Sequence, residues 1–489
     1  MKNNLLIKAA EDLIDRGNWR AASAAYARLC TIFPNEPDIF YVYGRVLIEL
    51  KMWDAALGQF EMALSINPDD PRFHRSRGDT LQAMGSLLEA ETAYRQAINL
   101  NPHDTDAMIN LGNSINKQGR PGDALVMYGR ALAFDPGNLL ALNNIGKTWH
   151  DHGDLKKAKT CYEMALNLNP NYPEAHFNHS LALLSEGDYR NGWHEYEWRF
   201  ERQSARQIYP HRLNVSRWNG MPFPGKHLLV HCEQGMGDVI QFCRYMPMVK
   251  DLGGTVTLEV HEPLVSLLQG MPSVDRIIPF GRSKPLGEDF DFYVPLMSLP
   301  LLFGTTVENI PANIPYLAPS EVEKSRWRSQ LSGRCEPCIG LVWSGSATDP
   351  SRSCPWDIVV TLAKSATNMH IFSLQKELPH GITTDMLNQA NIIHLGNGLA
   401  NFHSTAAVIS HLDLIISIDT AVAHLAGAMG KPLWILLPHV SDWRWFQKGL
   451  DTPWYPTARL FRQPEKGNWA DLVSVLIDEL KKWNFCQRS

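Results

Sequence analysis

Two stretches of the sequence set chemically useful side chains beside tight turns. In the first, an apolar run from His227 to His231 leads into Cys232, Glu233, Gln234, Gly235, Met236, Gly237 and Asp238. Gly235 and Gly237 allow a strand-to-helix turn too tight for larger side chains. Asp238, projecting beyond it, could take the proton of a hydroxyl as that hydroxyl attacks an electrophilic carbon. Glu233, just before the turn, is the second candidate for this base, and Asp238 is equally suited to capping the helix that follows. In the second stretch, the run Leu414 to Ile418 leads into Asp419, Thr420, Ala421, Val422, Ala423 and His424. A strand, tight turn and helix at the carboxyl edge of a parallel sheet expose backbone N–H groups and roughly half a unit of positive charge, a site suited to a diphosphate without any metal. The plainer alternative is an ordinary N-cap followed by a buried histidine.

Other residues could assist. Ser344 and Ser346, after the run Cys338 to Trp343, could donate to phosphate or simply form the turn. Arg352, in TDPSRSCP, offers a cation for a leaving group or a solvated surface charge. Gln375 and Lys376 end a further strand candidate, where they could touch a nucleotide, although a lysine there is commonly solvated. Asp289, Phe290 and Asp291 mimic a metal-binding DxD, but two carboxylates alone make a poor cage. Trp443, Trp445 and Trp454 could stack on a sugar or base, yet tryptophans so spaced usually pack an interface. No Walker, HExxH or GxSxG motif is present, which removes the parts of a kinase, a zincin or a serine hydrolase.

These residues need a frame, and the 489-residue chain has room for about three domains. A formal net charge of −5 gives no overall pull toward nucleic acid or anionic membrane. The eight cysteines are dispersed, with only Cys335 and Cys338 in CxxC spacing, and no apolar run approaches the ~20 residues of a spanning helix. A reduced, cytoplasmic protein is expected.

Prolines at 34, 68, 102, 136 and 170 recur every 34 residues, the period of the tetratricopeptide helix-turn-helix repeat. In the same register stand Gly44, Gly78, Gly112 and Gly146; Ala22, Ala56, Ala90, Ala124 and Ala158; and Tyr26, Phe60, Tyr94, Tyr128 and Tyr162. The glycine would let two helices approach, the alanine sit at their crossing, the aromatic fill the space toward the next pair, and the proline end a helix. Five repeats and an altered sixth are expected over 1–205. In the sixth, Gly187 and Tyr196 keep the register, while Gly192, Trp193, Trp198 and Phe200 make a heavier helix that would cap the array against the next domain. Such an array binds an extended peptide or a partner protein on its concave face.

Beyond Arg217 the pattern changes to short apolar runs separated by Gly-rich or polar turns: 227–231, 338–343, 371–374, 414–418 and 433–437. That alternation predicts βαβ units and a mostly parallel sheet. Two Rossmann-like lobes, 206–330 and 331–489, would face a cleft, so the expected fold class is an α-solenoid followed by an α/β pair of lobes.

CEQGMGDVIQF, GLVWSGS, SLQK at 373–376 and SIDTAVAHLAGAMGKP at 417–432 together resemble bacterial tetratricopeptide proteins whose C-terminal part is similar to glycosyltransferase family 9, the ADP-heptose:lipopolysaccharide heptosyltransferases. The resemblance implies a GT-B fold and an inverting, metal-independent transferase. It also implies a nucleotide-diphosphate sugar donor, a protein or glycan acceptor and no other cofactor. It assigns the base to Asp238, and it aligns His424 with the family's histidine while Ala421 stands where the family has glycine. The rival reading keeps the lobes as an inactive scaffold or nucleotide sensor behind a protein-binding array. A nucleotide-sugar epimerase or dehydrogenase would need a fuller GxGxxG than CEQGMGD provides.

Overall fold

The computed structural model describes residues 2–205, 214–281, 290–331, 336–345 and 350–483. Ser346, Cys335, Cys486 and Asp289 lie outside them. The chain folds as two compact units, Met1–Asn178 and His179–Ser489.

The first unit is built of antiparallel helix pairs, among them Pro37–Glu49 with Trp53–Ile66, Pro71–Met84 with Leu87–Leu100, Thr105–Lys117 with Pro121–Phe134, and Leu139–His150 with Leu155–Leu168. The recurring alanines are wholly buried where the helices cross. The recurring glycines do a more specific job than expected. A Cβ at Gly44, Gly78, Gly112 or Gly146 would lie 2.5–2.7 Å from a ring carbon of Phe60, Tyr94, Tyr128 or Tyr162. Each aromatic therefore seats on the glycine of its own pair rather than reaching toward the next. A second 34-residue series closes the turn inside each pair: Gly17, Gly85, Gly119 and Gly153 all have positive φ, and Lys51 takes the same conformation at φ 57°. Gly187, at φ 85°, continues this turn series; the place of the helix glycines is held in the sixth repeat by Ser180.

The second unit begins at His179, inside the sixth repeat. The helix Tyr189–Tyr196 and the 3-10 turn Glu197–Phe200 pack into the α/β region. Trp193 meets Trp443 edge-on at 5.2 Å and Phe242 at 6.2 Å, and Tyr189 accepts a 2.9 Å hydrogen bond from Trp454 Nε1. The capping helix is thus part of the second unit's core.

That unit contains two parallel sheets among the described residues. Strands β1 (Ser216–Arg217), β2 (His227–His231), β3 (Thr255–Val260), β4 (Arg276–Pro279) and β5 (Phe292–Pro295) form one, in the order β1-β5-β2-β3-β4. Strands β6 (Cys338–Val342), β7 (His370–Ser373), β8 (Ile392–His394), β9 (Leu414–Ile418), β10 (Leu433–Leu437) and β11 (Ala458–Arg462) form the other, in the order β11-β10-β9-β6-β7-β8. Helices on the faces bury β6, β9 and β10 completely, which is why they read as unbroken apolar runs. Strand order reverses between β2 and β5 in the first sheet and between β6 and β9 in the second, and at such switch points the carboxyl ends of strands splay into a crevice.

The helix that ends at residue 331 packs on the second sheet's side. Helix Glu321–Leu331 packs on helix Phe402–Ser410, with Ser404 Oγ donating to Glu323 Oε1 at 3.1 Å and the Ser320 N–H donating to His403 Nε2 at 3.0 Å. No helix among the described residues is long and apolar enough to cross a membrane.

Candidate functional site

The carboxyl ends of β2, β6, β7 and β9 open into one cleft of about 720 Å³. From the first lobe it is lined by Gln234 to Asp238 and Pro263; from the second by Ser344, Gly345, Arg352, Gln375, Lys376, Asn401, Thr405, Asp419 to Val422, His424, Asp442 and Arg444. The cleft gathers Gly235, Gly237, Asp238, Ser344, Arg352, Gln375, Lys376, Asp419, Thr420, Ala421 and His424 from the residues singled out by sequence.

At the first turn, β2 runs into helix Met236–Phe242. Asp238 Oδ2 accepts from the Gly235 N–H at 2.8 Å, so the aspartate does hold the turn, and its Oδ1 is ion-paired to Arg444. Burial pushes the Asp238 carboxyl above the ordinary aspartate range, against the pull of Arg444. Gly237 is needed for close approach: a Cβ there would lie 2.9 Å from His424 Cδ2, because the two turn helices meet at this point. Gly235 has φ −69°, open to any residue.

Glu233 does not reach the cleft. Its side chain is fully buried and accepts 2.9 Å bonds at both oxygens from Arg199, whose guanidinium also donates to Ser298 Oγ at 2.7 Å. A carboxylate held in a bidentate pair inside the core is a brace, not a base open to an acceptor. Beside it, Gln234 Nε2 donates to Tyr196 Oη at 2.7 Å. The capping helix thereby steadies the residues just before the turn.

At the second turn, β9 ends at Ile418 and helix Ala421–Ala428 begins three residues on. Thr420 is the N-cap residue but its hydroxyl pairs with Ser417 Oγ at 3.0 Å, so no side chain caps the first N–H groups of the helix. They face the cleft with the positive end of the helix dipole. Asp419 is buried, with Arg352 at 3.5 Å from Oδ2 and His424 Nε2 at 3.8 Å from Oδ1. Its carboxyl is pushed up to about 6, first by burial and then by the neighbouring Asp442, with Arg352 and Arg444 opposing.

His424 sits 5.3 Å from Trp445 in a stacked pair and shares a 2.9 Å hydrogen bond at Nδ1 with Tyr455 Oη. Burial and the nearby Arg444, Arg244 and Arg352 hold its pKa well below the usual histidine value, so the ring is neutral at pH 7. It can donate or accept a hydrogen bond at the cleft but brings no charge to a phosphate.

Gln375 Oε1 accepts from the Trp343 and Ser344 N–H groups at 3.1 and 3.0 Å, which fixes the end of β6. Ser344 Oγ lies 3.4 Å from Ser353 Oγ, and Lys376 Nζ donates to the Ala400 carbonyl at 3.5 Å. Trp443, Trp445 and Trp454 are buried in packing. Asp291 accepts from Lys226 Nζ and the His227 N–H, both at 2.8 Å, at the opposite end of β2 from the turn. Among the described residues no three His, Cys, Asp or Glu side chains are grouped to hold a metal ion.

Arg444 was missed by sequence reasoning. It follows β10 within a Trp-Arg-Trp turn, is 8% exposed, and lies 4.3 Å over the Trp443 ring. A charged residue between two apolar tryptophans was the available signal, since such a residue must find partners inside.

Tetratricopeptide repeat models match residues 13–79, 75–138 and 116–186, and the glycosyltransferase family 9 (heptosyltransferase) model matches residues 389–442, from β8 to Asp442. The chain is 26% identical over 353 residues to protein FlbA of Caulobacter vibrioides, covering 64% of this chain and 56% of that protein. It thus spans little more than half of this relative's length. Among solved structures, PilW, a type IV pilus biogenesis factor, aligns at 19% identity and TM-score 0.38 over 42% of this chain and 98% of its own. A thermophilic tetratricopeptide protein of Thermus thermophilus aligns at 18% identity and TM-score 0.32 over 37% and 99%.

Proposed function

From a chain that joins tetratricopeptide repeats to a region similar to glycosyltransferase family 9, we propose a transferase that moves a sugar from a nucleotide-diphosphate donor to an acceptor hydroxyl. One observation carries the reading: Asp238 and the uncapped N-terminus of helix Ala421–Ala428, from opposite lobes, line the same cleft. The diphosphate sits on that helix end with Arg352 beside it, and Gln375 and Lys376 lie toward the nucleoside. Asp238 receives the proton of the acceptor hydroxyl as its oxygen bonds to the anomeric carbon. The bond from that carbon to the diphosphate breaks, and its electron pair leaves with the phosphate. Attack opposite the leaving group inverts the sugar, and the helix dipole with arginine supports departure without a metal. The repeats recruit a partner protein or the acceptor, raising its concentration at the cleft, in the cytoplasm.

The test is a thermal-shift screen of ADP, GDP, UDP, CMP and dTDP and their sugars on wild type and His424→Ala. At a hundred times its dissociation constant a true donor adds ~2.7 kcal/mol of stability. Stabilisation by one nucleotide family, weakened in the variant, is the expected result and names the donor class. A folded protein that answers to none of them is instead a scaffold whose repeats do the work.

A further inference from the structure

We propose that Arg444 joins Arg352 in receiving the donor diphosphate, and that its ion pair with Asp238 restrains the base until the donor arrives. The inference rests on the transferase reading above and assigns within it a residue and an order of events.

The geometry around Arg444 is specific. Nε donates to Gln241 Oε1 at 2.8 Å, Nη1 to Asp442 Oδ1 at 2.9 Å, and Nη2 to Asp238 Oδ1. Gln241 and Asp238 lie on helix Met236–Phe242 of the first lobe, whereas Arg444 belongs to the second, so one guanidinium ties the lobes at the base of the cleft. A guanidinium has five N–H donors, and these contacts use three. It is also more deeply buried than Arg352, the other arginine that lines the cleft among the described residues. Arg444's side chain is 9% exposed and anchored at two further points, while Arg352's is 33% exposed and stands 3.5 Å from Asp419. Planar guanidinium suits bidentate contact with phosphate oxygens, and a buried cation acts with little screening.

The same contacts show why Asp238 is restrained in the free protein. Oδ2 accepts from the Gly235 N–H and Oδ1 from Arg444, whose positive charge weakens the lone pairs that remain and so weakens the carboxylate as a proton acceptor. A diphosphate entering at helix Ala421–Ala428 competes with Asp238 for Nη2, while Gln241 and Asp442 keep the rest of the guanidinium in place. Released from Arg444, the carboxylate loses that counter-charge and becomes a stronger acceptor for the proton of the hydroxyl. The charge that develops on the departing diphosphate then falls on the guanidinium that freed the base. Donor binding therefore precedes base activation.

The experiment measures binding of inorganic pyrophosphate, in EDTA, to the full chain by calorimetry, for wild type, Asp238→Asn, and Asp238→Asn combined with Arg444→Gln. Asparagine keeps the shape of the turn and leaves Arg444 its contact with Asp442, while the double variant removes both charges of the buried pair together. Asp238→Asn is expected to bind pyrophosphate three- to tenfold more tightly than wild type, because the competitor for Nη2 is gone, and the double variant at least tenfold more weakly than Asp238→Asn. Equal or weaker binding by Asp238→Asn overturns the proposal, as does a double variant that keeps the gain, since the gain is then only the loss of a negative charge. If pyrophosphate and all of the nucleotides fail to bind wild type, the transferase reading falls as well. Binding by wild type without the Asp238→Asn gain removes the role of Arg444 alone.

Discussion

Asp419 stands where a buried strand turns into a helix, and that position couples its protonation to folding. Its carboxyl titrates near 6 in the fold against an ordinary 3.8, so the native state keeps a proton that the unfolded chain gives up. By linkage this contribution to stability is full below pH 3.8 and is lost as pH rises through 6. Asp419→Asn removes the titration. Raising the pH from about 4.5 to about 7.5 is expected to change Tm less favourably in wild type than in the variant, as read by calorimetry at fixed ionic strength; an equal change in the two would place the titrating group elsewhere. His424 acts in the opposite sense: its pKa in the fold lies well below 6.5, so the unfolded chain alone takes up that proton, and its contribution rises with pH through 6.5 in wild type and variant alike.

Among the elements, the turns inside the helix pairs of the first unit offer a clean test. Lys51 takes the left-handed conformation that glycine adopts at 17, 85, 119 and 153, and it is solvent-exposed. A side chain there costs about 1 kcal/mol relative to glycine. Lys51→Gly is expected to raise the Tm of the first unit's transition by roughly 2–4 °C, and a lowered Tm would mean that the Lys51 side chain makes a compensating contact. Spacing in the sequence picks out the helix glycines 44, 78, 112 and 146, like the prolines, but not this turn series, and it does not say which glycine turns the chain and which admits a ring. Some inner strands were legible for a different reason. β2, β6, β9 and β10 are covered on both sides and read as largely apolar runs, whereas β3 interleaves Thr255, Thr257 and Glu259 with its apolar residues, β1 is a Ser-Arg pair and β4 opens on an exposed arginine at a sheet edge. In the cleft, the two turns could be read because glycine, aspartate and histidine sit close together in sequence. Arg444 and the burial of Glu233 could not, since each depends on a partner brought from a distant part of the chain.

At the scale of the whole molecule, the division at Asn178 has a direct consequence for where the chain can be cut. A fragment beginning at 206 loses Tyr189 and Trp193, which fill the aromatic cluster around Trp443 and Trp454, and Arg199, which neutralises the buried Glu233. Leaving that carboxylate unpaired alone costs about 3–5 kcal/mol. The fragment 179–489 is therefore expected to purify folded, with a cooperative thermal transition, while 206–489 aggregates or melts without one. Equal behaviour of the two would show the capping helix to be dispensable.

The ion pair between Asp238 and Arg444 joins residues 206 positions apart. During synthesis, β2 and its turn leave the ribosome long before the Trp-Arg-Trp segment is made, and the repeats are complete before either. The cleft is consequently among the last features to form, closing only when both sheets exist. A nascent chain can therefore complete its array of helix pairs while it has no finished cleft.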